Sequence, residues 1–333
     1  MRYIINPNIF NMNTNNLFSL LLVTAMTGTA IQGCSGYRND TVTNDPASNE
    51  TEVSTRAVGV KTPKFTVYIE TNDINPLNAG EYYFCNSSPR EEVVDHVILF
   101  ASNIRGNATS AWLHHNPNQT YILNNVSTLV QPLQNKGIKV LLGLLGDHTG
   151  VGFANLSPAM LESFAQQVAT CVNTYGLDGV DLDDEYARYD LAPAGLPSPS
   201  AVILGNLVTR LRELMPNKLI TAFSFGNYIP YMGATVFNSL DYMHPNYGCN
   251  PTPPSGLPNS KWAKLSVHIQ SQSSTNPPCS TMGVCANNYT GYGEVMMFNL
   301  REWDASSKMN CFASRLWGRT VCWTGTSHYK NYP

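Results

Sequence analysis

From Phe65 onward, short runs rich in β-branched and aromatic residues alternate with stretches whose apolar residues recur every three to four positions, or with polar segments. The runs are Phe65–Glu70, His96–Ala101, Lys139–Leu145, Gly179–Asp183, Leu219–Phe225, Leu240–Met243, Leu265–Ile269 and Glu294–Asn299. Each has the length of a strand. Eight strands with helices between several of them predict a (β/α)8 TIM barrel, with an open doubly wound sheet as the alternative. Three intervening segments predict helices. Ser157-Pro158 offers a cap and a first-turn proline to the face Leu161, Phe164, Ala165, Val168, Val172, Tyr175, and Gly176 stops it. Ser198-Pro199 opens a second, with Leu204, Leu207, Val208, Leu211 and Leu214 inward and Pro216 just beyond its end. A third runs from about Thr120 to Lys136, kinked at Pro132. Between Gly226 and Asp241 there is little room for a helix and two turns, and 270–293 is rich in Ser, Asn, Pro and Cys without helical period. The barrel is therefore expected to be irregular, with outer helices missing on its second half and functional loops in their place.

Ahead of this domain the pattern changes twice. Leu17 to Ile31 is an apolar stretch too short for an ordinary membrane span and of secretory-leader length, ending in Ile31-Gln32-Gly33-Cys34. A small residue directly before Cys34 is similar to the bacterial lipoprotein cleavage box, so 1–34 is read as a leader with Cys34 as the lipidated residue, plain secretion being the runner-up. Residues 35–62 are dominated by Ser, Thr, Asn and Asp and read as a tether. The catalytic or binding barrel is placed at 63–328.

Composition sharpens this picture. Charged residues make up 13%, about half the usual globular share, and 20 Lys+Arg against 23 Asp+Glu leave no basic excess for nucleic acid. The polar surface is then built from Asn, Ser, Thr and Gln, which suits neutral, hydroxyl-rich ligands. Cys171 falls on an apolar helix face and reads as a buried thiol. Cys85, Cys249, Cys279, Cys285, Cys311 and Cys322 allow three disulfides in any of several pairings. No C-x-x-C pair or histidine at ligand spacing supports a metal site.

The chemistry concentrates in Leu177-Asp178-Gly179-Val180-Asp181-Leu182-Asp183-Asp184-Glu185-Tyr186. Side chains alternate along a strand, so Asp181, Asp183 and Glu185 share one face and Val180 and Leu182 the other. Carboxyls this close cannot all ionise, and one pKa rises toward the range a general acid needs. A calcium loop fails, because counting from Asp181 puts Tyr186 and Ala192 where glycine and glutamate are required.

Asp178, Asp181, Asp183 and Glu185 match the D-x-x-D-x-D-x-E signature of glycoside hydrolase family 18. The runs Tyr175–Tyr186, Leu141–Leu156 and Glu70–Tyr82 resemble its endo-β-N-acetylglucosaminidase H/F branch. The resemblance implies a barrel with the signature on its fourth strand, and cleavage of the β-1,4 bond between the two core N-acetylglucosamines of N-linked glycans. The substrate's own acetamido oxygen is then the nucleophile. It also implies that Glu185 is acid and base, Asp183 orients the acetamido group, Asp181 shares its proton, Asp178 supports the strand, and Tyr247 bonds the acetamido group. His244 and Asn246 depart from the Asn-x-Tyr-Tyr-Gly arrangement of that branch. His148, Asn299 and Trp303 are candidate sugar contacts; Trp112 and Trp262 read equally well as core or platform. The expected protein is a monomer that needs no cofactor, meets N-glycans outside the cell, and touches membrane only through a lipid anchor. The rivals are a chitinase-like hydrolase and a non-catalytic glycan-binding lipoprotein.

Overall fold

The computed structural model describes residues 61–269 and 277–333. The expected leader with Cys34, and nearly all of the 35–62 tether, lie outside these residues. The eight strands form as the pattern requires: β1 (Lys64–Glu70), β2 (His96–Gly106), β3 (Lys139–Leu145), β4 (Gly179–Asp183), β5 (Leu219–Ser224), β6 (Tyr242–Pro245), β7 (Ala263–His268) and β8 (Glu294–Phe298). They pair in parallel in the order β6-β5-β4-β3-β2-β1-β8-β7. The two ends of this curled sheet meet through a single parallel bridge between Met243 and Trp262, which makes an irregular (β/α)8 barrel of it. Trp262 is core: it is buried, with its indole N–H donating to the Asn250 carbonyl at 2.7 Å.

Two cores follow from the two-residue period. Val67, Val97, Leu142, Val180 and Leu182 face outward under the helices, while Tyr68, Ile98, Leu141, Phe223, Ala263 and Met296 fill the barrel. Burying each of the larger side chains contributes roughly 1.5–3 kcal/mol.

The helices follow their caps. α1 (Pro117–Asn124), α2 (Val126–Leu129) and α3 (Gln131–Asn135) replace the single kinked helix expected over 120–136. Asn116 caps the first, starting it ahead of Thr120, and the backbone leaves helical geometry at Asn125; Pro132, with no N–H to give a preceding turn, sits in a new first turn. α4 (Pro158–Thr174) starts at the Ser157 cap and ends in a Schellman turn, with Gly176 at φ 64° and the Leu177 N–H on the Val172 carbonyl at 2.9 Å. α5 (Ala201–Leu214) is capped by Ser200 rather than Ser198. Pro199 keeps Ser198 extended, and the Ser200 N–H is taken by the Ala154 carbonyl at 2.9 Å. The 226–241 interval, expected to be too short for a helix, does contain one, α6 (Ala234–Ser239), which fits because it is only 6 residues long; α8 (Ser306–Trp317) follows β8.

The segment expected to lack a helix contains α7 (Cys279–Ala286). It is held by covalent bonds, Cys279–Cys311 to α8 and Cys285–Cys249 to the loop after β6, and so needs no amphipathic period. The crossovers without an α-helix are the one after β6, in the second half of the barrel but not one of the two intervals singled out by the sequence, and the one after β1, where a 3-10 turn (Pro76–Glu81) and a short strand (Tyr82–Phe84) stand instead. That strand pairs with Val321–Trp323, and Cys85–Cys322 fastens the two. Packing continues past residue 328: Tyr332 is buried and donates to the Ile74 carbonyl at 2.8 Å. Cys171 is a buried free thiol, as read.

Candidate active site

Asp178 opens the acidic strand and secures it. Its carboxylate accepts from Gln134 Nε2 at 2.8 Å, from the Val140 N–H at 2.9 Å and from Lys139 Nζ at 3.1 Å, tying the start of β4 to β3 and α3. From there the alternation carries Asp181 and Asp183 into the barrel while Val180 and Leu182 enter the outer core. β4 ends at Asp183, so Glu185 lies in the turn beyond it, at the C-terminal mouth where barrel chemistry sits. The Glu185 N–H donates to Asp183 Oδ1 at 3.1 Å and fixes the two residues together.

Asp183 and Glu185 line a cavity of about 280 Å³ with Tyr68, Glu70, Phe100, Tyr186, Phe223, Phe225, Asn246, Tyr247 and Phe298. A cavity of about 640 Å³ bordered by Thr62, Tyr289, Tyr292 and Arg315 is larger but has no carboxylate in its lining. The acids, not the volume, mark the site. Asp183 is held well above the usual carboxyl range by burial first, then by the charges of Glu185 and Asp181. Glu185, half-buried, is raised by burial against the opposing pull of a Tyr186 hydrogen bond and of His148. Asp181, fully buried, is pushed up to about 6, with His244, Thr221 and Tyr68 partly offsetting its burial. Three acids thus face one interior, two of them buried and all three raised by burial.

Access to Glu185 depends on a glycine. Gly226, at φ 95°, brings the segment after β5 so close that a Cβ there would lie 2.2 Å from the Glu185 Cα. A left-handed backbone and a close approach coincide, and only glycine meets both.

Of the other expected residues, Tyr247 lines the cavity, its ring set edge-on to His268 with centroids 5.1 Å apart. His148 is exposed and does not line the cavity itself; its ring lies 4.5 Å from that of Tyr186, which does. Asn299 and Trp303 do not line the acidic cavity: Asn299 is buried and accepts from Arg301 at 3.0 Å, and Trp303 is partly exposed with its backbone carbonyl on Tyr82. Trp112 is exposed on the short strand Ala111–His114 that pairs with the far end of β2.

Several participants escape the sequence reading. Tyr68 and Glu70 share the interior parity of β1, a signal present in the alternation but not distinctive on its own. Asp184 points away from the cavity and is pushed up to about 7 by burial; it accepts from the Phe153 N–H at 2.9 Å and from Tyr189, anchoring the loop after β3. Among the described residues no cluster of His, Cys, Asp and Glu has the arrangement to hold a metal ion.

Residues 64–245, which carry β1 to β6 together with Asp178, Asp181, Asp183 and Glu185, match glycosyl hydrolases family 18. The chain belongs to this family. The family-18 chain is 36% identical over 267 residues to an endo-beta-N-acetylglucosaminidase of Flavobacterium sp. (strain SK1022), covering 78% of this chain and 82% of that protein. It is 30% identical over 346 residues to endo-beta-N-acetylglucosaminidase F1 of Elizabethkingia meningoseptica, over the full length of both. Among solved structures it resembles Bacteroides thetaiotamicron EndoBT-3987, seen with a Man5GlcNAc product and with a Man9GlcNAc2Asn substrate, at a TM-score of 0.70 and 30% identity. That likeness covers 84% of the family-18 chain and 66% and 71% of the two solved chains.

Proposed function

We propose that this family-18 glycosidase is an endo-β-N-acetylglucosaminidase that cleaves the β-1,4 bond between the two core N-acetylglucosamines of N-linked glycans, leaving one sugar on the protein. The observation that carries the reading is the presence of Asp183 and Glu185 on one small cavity together with Tyr247. The names of the two full-length or near-full-length relatives support the substrate class.

In this reading the raised carboxyl of Glu185 gives its proton to the leaving oxygen as the acetamido oxygen of the substrate attacks the anomeric carbon. The bond to the leaving sugar breaks, and an oxazolinium-like ring forms. Asp183 holds the acetamido nitrogen and faces the positive charge that develops there, and the Tyr247 hydroxyl donates to the acetamido oxygen. Glu185, now a carboxylate, takes a proton from water, which opens the ring with net retention. Two steps replace one inversion, and no enzyme nucleophile is needed. Tyr186 borders the cavity, with the His148 ring against it. Asn299 and Trp303 stay candidate contacts only for portions of the glycan outside the acidic cavity.

The same proposal puts the protein outside the cytoplasm, attached through Cys34. Three disulfides support it, since such bonds persist in oxidising compartments. The test is to incubate purified protein with a denatured high-mannose glycoprotein and, in parallel, with chito-oligosaccharides, reading products by mass. Release of glycan that is one N-acetylglucosamine short of the intact core supports the reading. Hydrolysis of chito-oligosaccharides alone favours the chitinase-like alternative, and binding without cleavage the non-catalytic one.

A further inference from the structure

Beneath the acidic cavity, the barrel interior holds a hydrogen-bonded chain of ionisable groups that the reaction above does not call on. Glu294, at the start of β8, is fully buried. Its carboxylate accepts from the Thr66 hydroxyl, lies 2.9 Å from His96 Nδ1, and is bonded through its other oxygen to His244 Nε2. Its carboxyl is held down to about 2 by these histidines in spite of burial. On the opposite side of the same imidazole, His244 Nδ1 lies 3.1 Å from the Tyr68 hydroxyl and 3.8 Å from Asp181 Oδ1, and Tyr68 is 2.8 Å from Asp181 Oδ2.

Proton counting limits what this chain can do. The Tyr68 hydroxyl has one proton and lies between Asp181 and His244. If it donates to Asp181, His244 must donate to the Tyr68 oxygen and is an imidazolium, since its Nε2 proton is committed to Glu294. If it donates to His244, then Asp181 must be the protonated partner. The two states differ by one proton moved through Tyr68: Asp181 O–H to the Tyr68 oxygen, and Tyr68 O–H to His244 Nδ1. Atoms and charge balance, with a neutral pair becoming a carboxylate and an imidazolium. The carboxylate of Glu294, in contact with His244, favours the charged state.

We infer that Glu294 and His244 are positioning residues that keep Asp181 ionised through Tyr68, so that the single carboxyl proton of the Asp181–Asp183 pair stays on Asp183, beside Glu185. A carboxylate one layer below the cavity also opposes the positive charge of the oxazolinium-like intermediate. The effect on turnover rests on the hydrolase reading; the protonation of His244 does not.

The groups that face Asp181 are Tyr68 from β1, Asp183 on its own strand, Thr221 from β5, His244 from β6, Tyr228 from the segment after β5 and, one shell away, Glu294. Those facing His244 are Glu294, Asp181 and Tyr68, and the two carboxylates raise its basicity against burial. Neutralising Glu294 removes its own weak repulsion of Asp181 but also discharges His244, which acts on Asp181 more strongly. The net expectation is an Asp181 that protonates at higher pH.

The test begins with substrate-free protein carrying ¹⁵N-labelled histidine, with the His244 signals assigned by their loss in His244→Asn. His244 should carry both ring protons at pH 6.5 and lose one in Glu294→Gln at the same pH. In turnover of a high-mannose glycopeptide, Glu294→Gln should move the acidic limb of kcat up by about one pH unit, with KM changed less than about twofold. The shift should vanish in an Asp181→Asn background. A neutral His244 in the wild type at pH 6.5 overturns the inference, as does a folded Glu294→Gln whose acidic limb stays in place. Should Glu294→Gln fail to fold, the wild-type titration decides alone. An inactive protein with an imidazolium at His244 would refute the proposed function and leave the proton assignment standing.

Discussion

Glu185 is half-buried at the mouth, and its carboxyl makes few demands on the scaffold. Glu185→Gln keeps the volume and removes the transferable proton, so kcat should fall by about 10²–10⁴-fold with the melting temperature essentially unchanged; thermal unfolding alongside glycan release measures both. Gly226→Ala should behave differently. The added methyl meets the backbone of Glu185, and the forced shift displaces the acid. Loss of about 10²-fold in kcat is expected with some loss of stability, and restoration of full rate in that variant would mean that Glu185 tolerates displacement. At this scale the sequence was legible where one short run of chain held the pattern. Asp181 and Asp183 are two apart on β4 and share a face by the strand period, while Glu185, two further on, is carried to the same site by the turn beyond the strand. Tyr68 reaches Asp181 across 113 residues of chain and His244 across 176, and no local spacing encodes such meetings.

The loop after β3 hangs on Asp184, a carboxyl raised to about 7 by full burial. A folded-state value above the unfolded one means that the native protein binds this proton more tightly, so the contribution of Asp184 to stability is present below about pH 4 and is lost as pH rises through 7. Asp184→Asn imitates the protonated form. Relative to wild type, its melting temperature should rise between pH 5 and pH 8; parallel melting curves across that window check the sign, and a constant gap would show that Asp184 is not coupled to folding. Elements with their own signals were readable: α4 has a serine cap, a first-turn proline and a stopping glycine. α7 was not, because disulfides to α8 and to the loop after β6 replace the packing face that a periodicity would reveal. The 120–136 segment was read as one helix since its composition is helical throughout, yet Asn125 and Pro132 divide it.

At the scale of the molecule, the eight strand runs followed from the pattern, which left a barrel and an open doubly wound sheet as alternatives. Closure did not, because it depends on one bridge, Met243 to Trp262, between strand ends with unremarkable sequences. Cys85 and Cys322 are 237 residues apart and enclose every strand of the barrel after β1. The cross-link therefore turns most of the catalytic body into a covalent ring. A protease that severs any single exposed turn within that ring opens it without releasing a fragment: on a gel run without reductant the cut protein should migrate as one piece, separating into two only after thiol treatment. An enzyme working among secreted proteases would thus survive a first nick with its halves still joined.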